Sequence, residues 1–278
     1  MKYTPNAKLG GDYEYVWGDD FDGDTLDKSK WSTEVTKMGG RNILVVEDTP
    51  DPIKVKDGAL IMTAFKDENG IYHVPNSVHT KTTMNYLYGY AEIRAKLPLE
   101  LGCFASYWTR GVSDNPSTSL APGNLDHYAE VDMFEVFQNG GKQCVGGNIL
   151  KNFPGHPEKN WYATPMDWTQ QVVLPDEEYH TYGYEWTPTE MKMSVDGEVF
   201  CTFDITKSFD SNEDMSGFHD PQYFIFNNHL FHPEISSACI SITAAPDSLP
   251  AAHYVDYIRL YQKDGVGKVY TAEGRKPR

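Results

Sequence analysis

The sequence predicts an all-β protein built as one antiparallel sandwich or barrel. Three observations predict it. Short apolar and aromatic runs recur with turn signals between them, and two of those turns are Asp-Gly pairs between alternating segments. Aromatic and turn-forming residues are abundant, with Tyr 18, Phe 13, Trp 6, Gly 23 and Pro 17 in 278 residues, and helical periodicity is scarce. No repeat, low-complexity tract or linker divides the chain, so 1–278 reads as a single domain with its core at about 13–262.

Residues 1–12 read as an irregular lead-in. The stretch Trp17–Trp31 mixes aromatics with turn formers. Its acidic cluster lacks the ligand order of an EF-hand loop and reads as a solvated turn. Lys54–Phe65 reads as a hairpin about Asp57-Gly58. Strands are predicted at 77–83, 88–97 and 103–109, followed by a long polar loop over 110–127. Such a loop is either functional or a surface insertion. Beyond it, 143–150, 180–187, 190–195 and 198–204 read as strands, the last two joined by Asp196-Gly197. An acidic loop follows at 207–221. Strands at 222–228, 238–243 and 253–262 close the domain, leaving 263–278 as a mobile basic tail.

The run Tyr128–Phe137 carries Glu130, Asp132 and Glu135 among apolar and aromatic neighbours. Burying an unpaired carboxylate is costly, so three in six strand residues need a reason. Either their face lines a cleft or it is the wet side of a half-buried strand. Glu130 and Asp132 share a face by alternation, whereas strict alternation would put Phe134 on it in place of Glu135. A β-bulge at Met133–Phe134 restores Glu135 to that face. The two glutamates would then stand about 13 Å apart along the backbone. Their carboxyl groups, leaning together, could reach the roughly 5–5.5 Å that a retaining glycosidase places between nucleophile and acid/base. Asp132 between them adds negative charge, which helps separate the two glutamate pKa values.

Formal net charge is −16, and the pI is about 4.9. That excludes nucleic acid and anionic membrane surfaces as natural partners and favours a neutral substrate. No apolar run reaches membrane-spanning length, and the first residues lack a signal-peptide core. The chain is therefore either intracellular or a mature form whose export signal has been removed. Cys103, Cys144, Cys201 and Cys239 are widely spaced and read as buried free thiols; if paired, they allow three connectivities. The histidines show no metal spacing, and there is no nucleophile elbow. Alternation puts Phe104, Ser106 and Trp108 on one face, where aromatics could floor a sugar site or belong to the core. Trp161 stands in polar sequence and is a further stacking candidate.

With these residues in view, Glu130-Val-Asp-Met-Phe-Glu135 resembles the bulged Glu-x-Asp-x-x-Glu signature of family 16 glycoside hydrolases, the laminarinase and agarase type. Four further segments resemble the family in its order: Trp17–Trp31, Tyr88–Pro98, His180–Gly197 and Tyr254–Tyr261. The resemblance implies a β-jelly-roll sandwich with a concave substrate cleft and retaining, endo-acting hydrolysis of a β-glycan. It implies Glu130 as nucleophile, Asp132 as its electrostatic helper and Glu135 as acid/base. It also implies a structural calcium held by backbone oxygens of Asp20 and Gly58 and the Asp256 carboxylate, with no cofactor for catalysis. Departures touch the sugar-binding shell. Only Asn42 keeps a sugar-contacting role in Met38–Ile43, Phe104 stands where a stacking Trp is usual, and Leu150 replaces a usual His. Ile225–His232 lacks the usual Gly-Gly-x-Trp.

The expected function is an endo-β-glucanase on β-1,3 or mixed β-1,3/1,4 glucan, monomeric, secreted or at the cell surface. Its substrate contacts are Asn42, His79, Phe104, Trp108 and Trp161. One alternative is a hydrolase of a galactan such as agarose, porphyran or carrageenan, with Arg41, His79 and Lys81 receiving a sulfate. The other is a non-catalytic β-glycan-binding protein, which the intact carboxylate trio disfavours.

Overall fold

The computed structural model describes residues 13–34, 43–45, 52–70, 72–99, 103–112, 120–121, 128–139, 142–152, 161–163, 171–173, 178–209, 213–230, 249–263 and 265–272. Alternation of buried and exposed positions drives these residues into strands; Ala59–Lys66, for example, buries Leu60, Met62 and Ala64 and turns Lys66 outward. The strands form two sheets. The first runs β17 (Glu198–Asp204), β16 (Glu190–Val195), β15 (His180–Trp186), β9 (Gly89–Lys96), β19 (Ala251–Lys263), β5 (Ala59–Lys66), β6 (Tyr72–Val74) and β3 (Ile43–Val45). On its flank β1 (Tyr13–Asp19) pairs with β19 and β4 (Ile53–Lys56) with β5. The second sheet runs β13 (Trp161–Ala163), β12 (Lys142–Asn152), β11 (Tyr128–Asn139), β10 (Cys103–Gly111), β18 (Gln222–Leu230), β7 (Ser77–His79) and β2 (Ser32–Glu34). To it are added β14 (Gln171–Val173), β8 (Met84–Leu87) and β20 (Lys268–Thr271). Pairing is antiparallel except between β3 and β6. This is the all-β sandwich the sequence predicts.

Both predicted Asp-Gly turns are present. Asp57 and Gly58 have φ of 55° and 76°, and Asp196 and Gly197 have 50° and 82°, the doubly left-handed form that matches hairpin twist. The core between the sheets is aromatic. Tyr107 stacks on Phe226 at 4.7 Å, and Phe134 meets Tyr182 at 4.5 Å. One face of the second sheet supplies this core; its other face carries Phe104, Trp108 and Arg110 of β10 beside the carboxylates of β11.

Several expectations change. The acidic stretch after Trp17 is not merely a solvated turn. Asp19 accepts bonds from the Trp31 indole at 2.8 Å and the Phe21 amide at 3.0 Å, and both rings are buried. The strand predicted at 77–83 ends at His79, where the chain turns through Thr80–Thr83. The acidic loop contains a 3-10 turn, Ser216–His219, anchored by buried Phe218. Part of the expected mobile tail is a strand, because Lys268–Thr271 pairs with β8 and buries Val269 and Tyr270. Most of 110–127 and all of 238–243 lie outside the described residues. Cys103, Cys144 and Cys201 are buried free thiols, as expected, and Cys239 lies outside the described residues.

Candidate active site

The site stands on the face of β10, β11 and β12 turned away from the core. In β11, Val131, Met133, Phe134 and Val136 are all buried in the core. Two consecutive residues, Met133 and Phe134, therefore turn inward, and alternation breaks where the sequence required it to break. Against β12 the register runs Asp132↔Asn148 and then Glu135↔Gly146, three residues on one strand opposite two on the other. The same irregularity appears against β10, where Tyr107↔Phe134 is followed by Trp108↔Asp132. This is the bulge expected at Met133–Phe134. It leaves Glu130, Asp132 and Glu135 on one face. Gly147, across the break, makes the inward crowding feasible, since a Cβ there would collide with the Met193 sulfur.

Reading across the strands, Glu130 lies between Arg110 and Leu150, Asp132 between Trp108 and Asn148, and Glu135 between Ser106 and Gly146. Arg110 Nε is 3.5 Å from Glu130 Oε2, with both side chains largely covered. On the far side of β10, Tyr223, Ile225 and Asn227 of β18 face Arg110, Trp108 and Ser106. The Trp108 indole N–H donates to Asn227 Oδ1 at 2.6 Å, and Asn227 Nδ2 donates to Ser77 Oγ. Trp108 is thus a half-buried ring fixed by a hydrogen bond beside the carboxylates, and Phe104 is half-buried on the same face.

The electrostatics separate the carboxylates. Burial, followed by repulsion from Glu130, pushes Glu135 up to about 8. Burial pushes Asp132 well above the usual carboxylate range, with Glu135 and Glu130 adding to the shift and Arg110 opposing it. Both shifts favour the protonated form of the carboxyl, the form a general acid needs.

The other expected residues divide. His79 lies on the same face, paired with Ile225 of β18, and is 6 % exposed. Its Nε2 is 3.7 Å from Glu34, and burial lowers its pKa, with Glu34 opposing and Lys81 reinforcing. Lys81 Nζ stands 5.7 Å from the Tyr223 ring. Trp161 begins β13, at the sheet edge, where the sequence suggested a loop. Asn42 and Arg41 lie outside the described residues. Arg110, Asn227 and Ser77 were not singled out from the sequence. Parity along Phe104, Ser106 and Trp108 extends to Arg110 and could have found it. Asn227 and Ser77 carry no local signal.

Far from this face, Asp20, Gly58 and Asp256 line one cleft of about 270 Å³ with Asp22, Asp57, Tyr257 and Arg259. Backbone oxygens and a carboxylate suit a hard cation in kind. Two of the carboxylates already have cationic partners. Arg259 donates to Asp20 Oδ1 at 3.0 and 2.6 Å, and Arg94 to Asp256 Oδ2 at 2.6 Å. Among the described residues no three His, Cys, Asp or Glu side chains converge to hold a metal.

The family model described as "Glycosyl hydrolases family 16" matches residues 43–222, well over half of the chain. The chain belongs to glycosyl hydrolase family 16. Within it, the chain is 25% identical to glucan endo-1,3-beta-glucosidase A1 of Niallia circulans, over 94% of this chain and 39% of that protein. It is 26% identical to a beta-glucanase of Rhodothermus marinus, over 90% of this chain and 85% of that one. Among solved structures, the laminarinase from Rhodothermus marinus superposes with a TM-score of 0.69 at 23% identity, covering 90% of this chain and 98% of that one. At that identity the likeness speaks for the fold, the family's jelly roll.

Proposed function

We propose that this family 16 member is a retaining endo-β-glucanase that cleaves β-1,3 or mixed β-1,3/1,4 glucan. The observation that carries the reading is the bulge that gathers Glu130, Asp132 and Glu135 on one face, with Glu135 pushed toward its protonated form. The relatives named as glucanases support the choice of glucan. In this reading Glu135 protonates the leaving glycosidic oxygen as the ionised Glu130 attacks the anomeric carbon, giving a glycosyl-enzyme. Glu135, now ionised, takes a proton from water, which attacks the same carbon and releases Glu130. Asp132, on the same face between the two glutamates, acts as the electrostatic helper of Glu130. Trp108 and Phe104 offer ring faces to the sugar, with Trp108 held in place by Asn227. A polymer of this kind is met outside the cell, where we place the enzyme.

The test is direct. Glu130→Gln and Glu135→Gln are each expected to lower reducing-end release from laminarin and lichenan by about 10³-fold or more. Near-wild-type turnover by either variant would remove the assignment. Release from agarose or porphyran, with none from the glucans, would replace the substrate and keep the mechanism.

A further inference from the structure

We propose that Arg110 is a positioning residue that holds Glu130 as the ionised member of the trio and so fixes which glutamate attacks and which protonates. The inference rests on the reading above and assigns a device that the three carboxylates alone do not contain. Three acids sharing one face repel one another, and any of them can relieve the repulsion by keeping a proton. A retaining hydrolase needs a definite outcome, with one glutamate charged and the other neutral. Something must break the tie.

Arg110 is placed to do so. The β10–β11 register sets it directly opposite Glu130, and its Nε lies 3.5 Å from Glu130 Oε2. Side-chain exposures of 24% and 18% put the pair where water screens it less than at a surface. The guanidinium is itself braced, with Cζ 5.9 Å from the Trp108 ring and Tyr223 directly opposite on β18. Glu135 faces Ser106, four residues back along β10, about 13 Å away along the strand. The cation therefore favours charge on Glu130 much more than on Glu135. Among the described residues, the neighbours of Glu130 across β12 and along β11 do not duplicate this effect. Leu150 and Asn148 of β12 are uncharged, and Asp132 and Glu135 are the acids of its own strand. Behind Arg110, Lys81 lies 5.7 Å and His79 6.4 Å from the Tyr223 ring, with Glu34 beside His79.

The experiment titrates the carboxyl carbon of Glu130 by ¹³C NMR, with the signal assigned by its loss in Glu130→Gln. No substrate is needed. In Arg110→Met the Glu130 midpoint should rise by about one pH unit, and in Arg110→Lys it should return toward the wild-type value. Should Arg110→Met fail to fold, Arg110→Gln serves the same purpose. The pH profile of kcat/KM on laminarin or lichenan gives a second readout. Its acid limb should move up with Glu130, while its alkaline limb should stay near the wild-type position, because Glu130 is still fully ionised where Glu135 titrates. Simple structural damage would lower the profile without narrowing it. If Glu130→Gln turns over both glucans at the wild-type rate, the hydrolase reading falls and the inference with it. If that variant is inactive but the Glu130 midpoint stays fixed in a folded Arg110 variant, the inference alone falls.

Discussion

Single residues set the pH behaviour. Glu135 has a folded-state pKa near 8 against an ordinary value of 4.5, mainly because it is buried. A carboxyl raised in the folded state favours folding while both states are protonated. That contribution disappears as pH rises from 4.5 to 8, where only the unfolded chain readily ionises. His229 and His253 act at the other end. Burial lowers both to about 4, so their contribution is present above 6.5 and is lost as pH falls toward 4. Thermal melting followed against pH should show losses on both flanks. Glu135→Gln should shrink the upper one, making the variant more stable than wild type at pH 8 while it is less active, and Asp132, also raised by burial, should keep the remainder. Equal melting of the two proteins at pH 5 and a widening gap toward pH 8 is the expected pattern. A constant gap would count against the proton on Glu135.

At the scale of an element, the bulge is the feature on which the site depends. Met133 and Phe134 both enter the core, and the neighbouring strand accommodates them with Gly147, a position where a Cβ would strike Met193. Gly147→Ala drives a methyl into the buried Met193 side chain, which must repack or push β12 aside. The expected cost is about 1–3 kcal/mol of stability, the range for overpacking a core. Activity should fall well beyond that stability loss, since a small shift in β11 turns the carboxylates apart. Chemical denaturation and a laminarin assay on the same preparation separate the two effects. Among the expectations, the bulge was legible in the sequence because it is a local matter: two apolar residues where alternation allows one, between acids that must share a face. The short strands at Ser32–Glu34 and Tyr72–Val74 were not legible, since three residues carry no usable period.

The whole molecule brings distant segments to one place. The cleft lined by Asp20, Gly58 and Asp256 joins the exit of β1, the β4–β5 turn and β19, three regions far apart in the chain. We propose calcium there, competing with Arg94 for the Asp256 carboxylate. Added calcium is then expected to raise the melting temperature by a few degrees, as binding to the folded state alone requires. Chelator should reverse the rise, and Asp256→Asn should abolish the response. A melting temperature indifferent to both ion and chelator would leave the arginines as the sole counter-charges of that cleft. Burial of β20 against β8 is another whole-molecule effect, because Val269 and Tyr270 carry too little local pattern to separate a strand from a tail.

The sequence by itself determined the strand-rich class, the two Asp-Gly hairpins and the break in alternation that gathers the trio. Each is a short-range property: period-two alternation, left-handed turn residues, and acids spaced within one strand. Tertiary structure alone decided which acids are desolvated and which meets a cation. It also decided that Asn227 and Ser77 fix Trp108, although Asn227 lies 119 positions from Trp108 and 150 from Ser77. Those outcomes depend on desolvation and cross-strand register. Neither exists until the two sheets have closed on each other.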